Sequence, residues 1–258
     1  MNDSQFTRRR FLLGAIGAAT LALGGCDATG PDTTAGRVLR SAGPLTLAAQ
    51  RRLQGRSALA REYNEADISP HFRVNGSSMP DNDLYRRLLN NRFADWHLKV
   101  DGLVTQPREF SLAALKLMPA RTQITRHDCV EGWSAIGKWT GVPLAEVLRA
   151  TGVLPSARYV VFHCADELET TLDGSGRYYE SIDLVDAYHP QTMLAYGMNG
   201  TDLPVGHGAP LRLRVERQLG YKQAKYLMRI ELTDSLLGLG DGNGGYWEDR
   251  GYDWYAGI

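Results

Sequence analysis

The sequence has few cysteines and no excess of charge of either sign. Three cysteines occur in 258 residues, and 29 Lys and Arg are balanced by 29 Asp and Glu. No C-x-x-C, C-x-x-C-H or four-cysteine set is present, which excludes iron–sulfur clusters and covalently attached haem. Zero net charge argues against a nucleic-acid-binding protein, because that class needs a basic surface to meet phosphates.

Several other common signatures are missing. No G-x-G-x-x-G follows a predicted strand, and neither H-E-x-x-H nor G-x-S-x-G occurs, so no dinucleotide site, zinc protease or nucleophile elbow is indicated. The longest apolar run is too short for a membrane-spanning helix, which needs about 20 residues. A hydrophobic fraction of 43% is ordinary for a soluble globular protein.

The N-terminus has the composition of an export signal. Thr7-Arg8-Arg9-Arg10-Phe11-Leu12 precedes a run of 13 uncharged residues that ends at Leu23. The arginine pair is typical of twin-arginine export, and residues 23–26 resemble a lipobox that ends at Cys26. We therefore predict a twin-arginine signal peptide over residues 1–25, the twin-arginine translocase as a partner and a lipid on Cys26. An uncleaved anchor or a plain secretory signal is the alternative.

The predicted export signal and lipid have two consequences. The protein would be periplasmic or otherwise extracytoplasmic and would be held at the membrane by its lipid only. Twin-arginine export moves folded proteins, which favours a cofactor inserted before export. Residues 26–60 are predicted to be a lipidated N-terminus and flexible tether, because Asp, Ala, Thr, Gly and Pro dominate its first part. Residues 61–258 are predicted to form one domain.

The strongest motif surrounds Cys129. A β-prone stretch over residues 122–125 leads into a polar turn, and a helix is predicted from residue 145 with Gly152 placed to end it. Arg126, His127 and Lys138 flank the cysteine, and cationic neighbours stabilise a thiolate. A buried, inert cysteine and a disulfide with Cys164 are the structural alternatives.

A second block follows at residues 205–217, where apolar and charged residues alternate as in a half-buried strand. Its polar face would carry Arg212 and Arg214, with Lys222 and Lys225 shortly after. Arginine and lysine side chains near a glycine form a phosphate-binding cradle; a solvated strand face is the alternative. Residues 227–232 are predicted to be the partner strand.

Two further stretches receive structural interpretations. Asp166-Glu167-Leu168-Glu169 is predicted to be an acidic surface turn, and the aromatic-rich residues 244–255 a packed closing segment rather than a ligand cage. Helices are predicted at residues 83–93, 111–117, 144–150 and 183–188. Short strands interrupted by Gly and Pro, with few helices, indicate a mixed, strand-rich α+β domain.

Three motifs in order carry a resemblance to a known family. Cys129-Val130-Glu131-Gly132-Trp133, residues 139–144 (Trp-x-Gly-x-Pro-Leu) and residues 208–212 (Gly-Ala-Pro-Leu-Arg) are similar to the sulfite oxidase-like molybdopterin enzymes. Within that family the sequence resembles the bacterial periplasmic methionine sulfoxide reductase catalytic subunits, from about Ile68 onward. The resemblance implies the sulfite oxidase-type molybdopterin-binding fold and a molybdenum–molybdopterin cofactor.

The resemblance also implies roles for individual residues. Cys129 matches the thiolate that ligates molybdenum, and Glu131 matches a carboxylate near the metal; these two are the candidate catalytic residues. Cofactor contacts are implied or predicted for ten further residues: His71, Phe72, Arg73 and Asn75 beside the pterin, Cys164, His207, Arg212 on the phosphate, Lys222, Gln223 and Lys225.

The expected function is that of an exported molybdenum oxidoreductase that transfers an oxygen atom. Reduction of a sulfoxide-like small molecule is the first expectation and oxidation of a sulfite-like one the second. Electrons would be exchanged with a membrane cytochrome b or a cytochrome c. We expect a monomer, because no room follows for the dimerisation domain of family sulfite oxidases. The alternatives are a lipid-anchored anion- or solute-binding protein with a Cys129–Cys164 disulfide, and a cofactor-free remnant of the family.

Overall fold

The computed structural model describes residues 33–171, 174 and 176–258. The predicted signal peptide and the lipidated Cys26 lie outside these residues. The described residues divide into two units, with the boundary between Gln50 and Arg51. Within the described part of the chain, no helix combines the length and the apolarity needed to cross a bilayer.

The helices start and stop at recognisable signals. Asn82 caps one helix by accepting a hydrogen bond from the Tyr85 N–H at 2.8 Å, and Ser111 caps another in the same way. Gly152 ends a third in the left-handed conformation at φ 67°. The helices are α1 (Thr34–Gln54), α2 (Asp83–Asn90), α3 (Leu112–Leu117), α4 (Leu144–Thr151) and α5 (Leu184–Ala187). The last four confirm the predicted helices within a few residues.

The stretch predicted to be a flexible tether is ordered from α1 onward. Alanine, leucine, arginine and glutamine are frequent in residues 36–54, and these residue types favour helix over an extended tether. Arg51 pairs with Asp183 at 2.9 Å and with Asp186 at 3.1 Å. Arg217 donates hydrogen bonds to the carbonyls of residues 55 and 56. The second unit therefore begins before the predicted boundary at residue 61.

Two five-stranded sheets form the body of the second unit. The first has the order β2-β1-β10-β5-β6, with β1 and β10 parallel and the other pairs antiparallel. The second has the order β3-β4-β7-β8, and β9 also pairs with β7. The strands are β1 (His97–Gly102), β2 (Arg108–Ser111), β3 (Arg121–Asp128), β4 (Ser134–Pro143), β5 (Tyr159–Glu167), β6 (Arg177–Asp183), β7 (Met193–Met198), β8 (Thr201–Asp202), β9 (Arg212–Arg214) and β10 (Leu227–Thr233).

The long strand predicted over residues 205–217 is shorter in the structure. A 3₁₀ helix occupies Val205–His207, and only Arg212–Arg214 is a strand. Both faces of β9 are buried, because its arginines are as inaccessible as Leu213. The predicted pairing with residues 227–232 is also wrong, since β10 pairs with β1 and β5.

Candidate functional site

A cleft with about 690 Å³ of space, its open mouth included, gathers residues from distant parts of the second unit. Four short stretches contribute most of its walls: residues 75–77, 129–131, 220–225 and 247–252. The full lining is Asn75, Gly76, Ser77, Cys129, Val130, Glu131, Asp166, Leu168, Tyr178, Gly220, Tyr221, Gln223, Lys225, Trp247 and Tyr252.

Cys129 lies at the tip of a β-hairpin, as the sequence predicts. Strands β3 and β4 pair up to Asp128 and Ser134, and the Cys129 N–H then donates to the Trp133 carbonyl at 2.9 Å. Gly132 closes the turn with a hydrogen bond to the Cys129 carbonyl at 3.0 Å. Its φ of +85° is one that a side chain rarely permits. The hairpin thus presents Cys129 and Glu131 to the cleft.

The charges around Cys129 differ from the prediction. Arg126 pairs with Asp128 and Lys138 with Glu65, so neither cation is left to stabilise the thiolate. Burial raises the pKa of the Cys129 thiol, although the backbone N–H groups of residues 130 and 131 lower it in part. Both described cysteines are free, which contradicts the predicted alternative of a Cys129–Cys164 disulfide.

His127, on the strand beneath the hairpin tip, is neutral and has a fixed tautomer. Arg214 donates from Nη1 to its Nδ1 at 3.1 Å, so the ring proton must be on Nε2. Burial lowers the pKa of His127 well below its usual value, and Arg214 and Arg212 lower it further. A Cβ at position 220 would lie 2.5 Å from Nε2, so only glycine fits at that point of the cleft wall.

The two arginines of β9 are buried in different ways. Arg214 is paired with Glu216 through two hydrogen bonds of 2.9 and 2.6 Å. Arg212 has no carboxylate: Nη1 donates to the His207 carbonyl at 2.9 Å and Nη2 to the Gln223 carbonyl at 3.2 Å. Burial, with the charge of Arg214, lowers the pKa of Arg212 to about 9. Arg212 is therefore the cation of this pair that lacks a counter-charge.

Lys225 lines the cleft and is also short of a counter-charge. Its Nζ donates to three backbone carbonyls, those of Asn75 at 2.6 Å, Gly206 at 3.1 Å and Ser77. Burial and the nearby Arg212 lower the pKa of Lys225 to about 7. The lysine ties the 75–77 loop to the 3₁₀ turn at residue 206 and brings a cation to one wall.

Lys222 does not belong to this group, so its predicted place in a phosphate cradle is wrong. Its side chain is fully buried and bonded to Glu180 and Glu248, which are buried with it. Burial alone would lower its pKa, but attraction to the two carboxylates raises it. A lysine neutralised in this way has no charge left for a ligand.

Asp166 was expected on the surface, yet it is 3% exposed and lines the cleft. Alternation along β5 places it on the same buried face as Phe162 and Cys164, although the register of β5 with β6 is interrupted between His163 and Glu167. Its Oδ2 accepts a hydrogen bond from the Ser77 hydroxyl at 2.6 Å. Burial raises its pKa. A run of three acidic residues in four gave no signal that one of them is buried.

The other predicted cofactor residues are placed as follows. Asn75 and Gln223 line the cleft. His71 and Arg73 are exposed, and Arg73 lies over the Trp133 ring with its guanidinium carbon 5.7 Å from the centroid. Phe72 packs among the rings of His127, Trp133, Trp139 and His207.

Cys164 and His207 lie outside the cleft lining. Cys164 is 3% exposed and packs in the main hydrophobic core. His207 is half-buried, and burial with the charges of Arg212 and Lys225 lowers its pKa to about 4. Neither residue is among those that line the cleft.

Four aromatic residues of the cleft were not predicted as site residues: Tyr178, Tyr221, Trp247 and Tyr252. The clustering of aromatics in residues 244–255 was the available signal, and it was interpreted as packing alone. The segment contains residues of both kinds: Tyr246 is 1% exposed and packs in the core, whereas Tyr252 is 39% exposed and lines the cleft.

The polar atoms of the site fit a ligand with donors, acceptors and an anionic group. Among the described residues, six buried atoms at or behind the cleft lack a hydrogen-bond partner: Asn75 Oδ1, His127 Nε2, Asp166 Oδ1, His207 Nδ1, Arg212 Nε and Gln223 Oε1. Such atoms cost about 1–3 kcal/mol each, so their clustering indicates a polar ligand. Arg212 and Lys225 would attract an anion, and Cys129 offers a thiol.

Comparison with known proteins agrees with this chemistry. Residues 87–236 match the family model described as "Oxidoreductase molybdopterin binding domain". A putative protein-methionine-sulfoxide reductase subunit YedZ1 of Azospira oryzae is 44% identical over 164 residues, which are 64% of this chain and 56% of that protein.

Two other proteins show a weaker likeness. The protein-methionine-sulfoxide reductase catalytic subunit MsrP of Ralstonia nicotianae is 38% identical over 54% of this chain and 44% of its own length. The sulfane dehydrogenase SoxCD of Paracoccus pantotrophus has a TM-score of 0.49 and 24% identity, over 55% of this chain and 39% of its own. The chain spans about half the length of the curated relatives it matches.

Proposed function

Because the chain belongs to the family of oxidoreductase molybdopterin binding domains, we propose that it is a molybdenum enzyme that reduces a sulfoxide. The family match confirms the resemblance to sulfite oxidase-like molybdopterin enzymes, the mixed strand-rich fold and the predicted cofactor class. The observation that carries the proposal is the cleft itself, which Cys129 and Lys225 both line; behind it, the buried Arg212 is bonded to the carbonyl of the lining residue Gln223 and to no carboxylate.

The residues present fit a molybdenum–molybdopterin group. Cys129 would supply a protein thiolate to the metal; the free thiol has a raised pKa, and a bound metal favours the deprotonated form. Arg212 and Lys225 would hold the phosphate. Asn75 and Gln223 would meet polar edges of the pterin, and Asp166 accepts from Ser77 beside them. The cofactor supplies the two-electron chemistry at the metal.

The chain's own groups prepare the surroundings of Cys129. Arg214 fixes the tautomer of His127, and the Trp133 indole donates to Glu131 Oε2 at 3.0 Å. Sulfoxide reduction consumes two protons and two electrons and releases water. Glu131 is the carboxylate at the cleft nearest in sequence to Cys129, and the indole holds it in one orientation, so we assign it the positioning of substrate or of an incoming proton.

Relatives named as methionine-sulfoxide reductases support a sulfoxide as the substrate. Oxidation of a sulfite-like molecule is the second candidate, because the same cleft offers cations to an oxyanion. We also propose that the protein works outside the cytoplasm after twin-arginine export, anchored through Cys26. It would act as a monomer that receives electrons from a membrane cytochrome b or a cytochrome c.

Elemental and pterin analysis tests the class. The full chain would be purified from cells with an intact molybdenum supply, beside Cys129→Ala and, as a matched control, Cys164→Ala. We expect about one molybdenum and one pterin per wild-type chain, retention in Cys164→Ala, and loss or lability of the metal in Cys129→Ala. Metal-free wild-type protein from cells that load another molybdoenzyme would overturn the proposal.

Substrate assays with the loaded enzyme then separate the two candidates. A reduced viologen dye would donate electrons to methionine sulfoxide, and an oxidised dye would accept them from sulfite. We expect turnover with the sulfoxide. Turnover with sulfite alone would replace the proposed reaction and leave the cofactor assignment intact.

A further inference from the structure

One wall of the cleft is supplied by a segment that follows the residues matched by the family model. The match ends at residue 236, whereas Trp247 and Tyr252 both line the cleft. Their rings are 5.3 Å apart between centroids, and Tyr252 is also 5.3 Å from Tyr221. We call Trp247, Tyr252 and Tyr221 the aromatic wall.

The aromatic wall is held rigidly. Glu248, between its two later members, is bonded to the buried Lys222, and the Tyr246 N–H donates to the Tyr179 carbonyl of β6 at 3.0 Å. The Trp254 indole donates to the Ser181 hydroxyl at 2.8 Å, and the Tyr221 hydroxyl to the Asp253 carbonyl at 2.7 Å. Contacts on both sides of the wall fix its rings before any ligand binds, which is the condition for selective recognition.

The wall differs in chemistry from the rest of the cleft. Cys129, Glu131, Asp166 and Lys225 present a thiol and charged groups, whereas the wall presents aromatic faces and edges, with Val130 47% exposed in the hairpin tip nearby. A small oxyanion has no part that would use such a surface. A thioether S-oxide does, because its carbon arms need apolar contact and its sulfur is a favourable neighbour of aromatic rings.

We propose that Trp247 and Tyr252 determine substrate specificity by contacting the carbon arm of a thioether S-oxide of the methionine sulfoxide class. The proposal rests on the proposed sulfoxide reductase function and adds the residues that select the substrate. The reactive oxygen would lie toward the Cys129 hairpin, and the arm that continues from the sulfur would lie along the wall. The residues that select the substrate therefore lie outside residues 87–236, which the family model matches.

The test compares two S-oxides of different length on the molybdenum-loaded enzyme, with a reduced viologen dye as electron donor. Methionine sulfoxide has a long carbon arm and dimethyl sulfoxide has none. Trp247→Ala and Tyr252→Ala should each raise KM for methionine sulfoxide about three- to tenfold, the worth of one lost aromatic contact. We expect kcat and the KM for dimethyl sulfoxide to change less than about twofold.

Controls separate specificity from folding. Leu237→Ala alters the same segment at an exposed side chain outside the cleft lining and should leave both KM values unchanged. Trp247→Phe and Tyr252→Leu keep most of the packing volume and should give smaller shifts in the same direction. Molybdenum content and the unfolding midpoint are measured for each variant.

The outcomes distinguish this inference from the function on which it rests. If the loaded wild type reduces neither S-oxide, the proposed function fails and the inference with it. If the wild type reduces both and the variants shift the two KM values equally, or shift kcat alone, the inference is wrong and the function stands. Loss of molybdenum in both alanine and conservative variants would show a structural role and also contradict it.

Discussion

Two lysines three positions apart show how one structure uses the same charge in opposite ways. Lys222 is enclosed with Glu180 and Glu248, and their attraction raises its pKa. Lys225 is hydrogen-bonded to backbone carbonyls and has no carboxylate bonded to it; burial and Arg212 lower its pKa to about 7, although Asp166 nearby raises it in part. A buried cation with its own carboxylates contributes to folding, whereas one without them is destabilised until an anion arrives. The difference identifies which of the two is prepared for a ligand.

The largest effect on stability is expected when Lys222 is removed. Lys222→Met leaves two carboxyl groups buried without a cation, and we expect the free energy of unfolding to fall by about 3–5 kcal/mol. Urea unfolding of the cofactor-free protein measures the loss. Glu180→Gln is the matched control: it removes one of the two carboxylates and leaves Glu248 to pair with Lys222, so the loss should be smaller than in Lys222→Met. Equal losses in the two variants would contradict the assigned role of Lys222.

Removing Lys225 should affect the ligand rather than the fold. Lys225→Met removes a charged donor to the proposed phosphate, worth about 1.5–3 kcal/mol, and cofactor retention should weaken about ten- to a hundredfold. Molybdenum and pterin per chain after gel filtration give the measurement. Full cofactor content in Lys225→Met would show that Lys225 does not hold the phosphate. Full content in a Lys225→Met, Arg212→Met double variant would show this for both residues.

The same lysine gives the cofactor-free protein a pH dependence of known sign. Its folded pKa of about 7 lies below the ordinary 10.5, so the unfolded chain binds the extra proton between these values. Stability should therefore rise with pH from about 7 to 10.5, and the contribution should be absent in Lys225→Met. Unfolding midpoints of the two proteins across this range test the difference. A parallel pair of curves would show that Lys225 keeps its normal pKa.

The smallest effect is expected at His207. Its pKa of about 4 makes it neutral at physiological pH, so it adds no third charge beside Arg212 and Lys225. His207→Asn should retain cofactor and change stability by about 1 kcal/mol or less, whereas His207→Leu should retain less cofactor. Identical cofactor content in the two variants would exclude a polar role for this position.

The sequence predicts best where a feature is local. The hairpin tip at Cys129 follows from a β-prone run, a polar turn and Gly132, all within a few residues. The four short helices follow from caps and periodicity. The family resemblance adds the cofactor class, which no local pattern could supply, and the family match confirms it.

Three errors concern the burial of charged side chains, which depends on contacts that are distant in the sequence. Lys222 and Lys225 are indistinguishable until Glu180 and Glu248 are brought beside one of them. Asp166 resembles its exposed acidic neighbours, and only its place on the buried face of β5, in line with Phe162 and Cys164, distinguishes it. In the sequence of β9 the arginines alternate as they would on an exposed face, although Arg214 is buried and paired with Glu216. Alternation of charge therefore predicts a solvated face only when no internal partner exists.

The order in which the cleft is assembled follows from the four stretches that form it. Residues 75–77 leave the ribosome early, and Trp247 and Tyr252 emerge more than a hundred and fifty residues later. Until that last stretch has folded against Tyr179, Ser181 and Lys222, the wall is missing and the cleft is an open groove. The cleft as described is therefore complete only once residues 247–252 have been made and packed against the rest of the second unit.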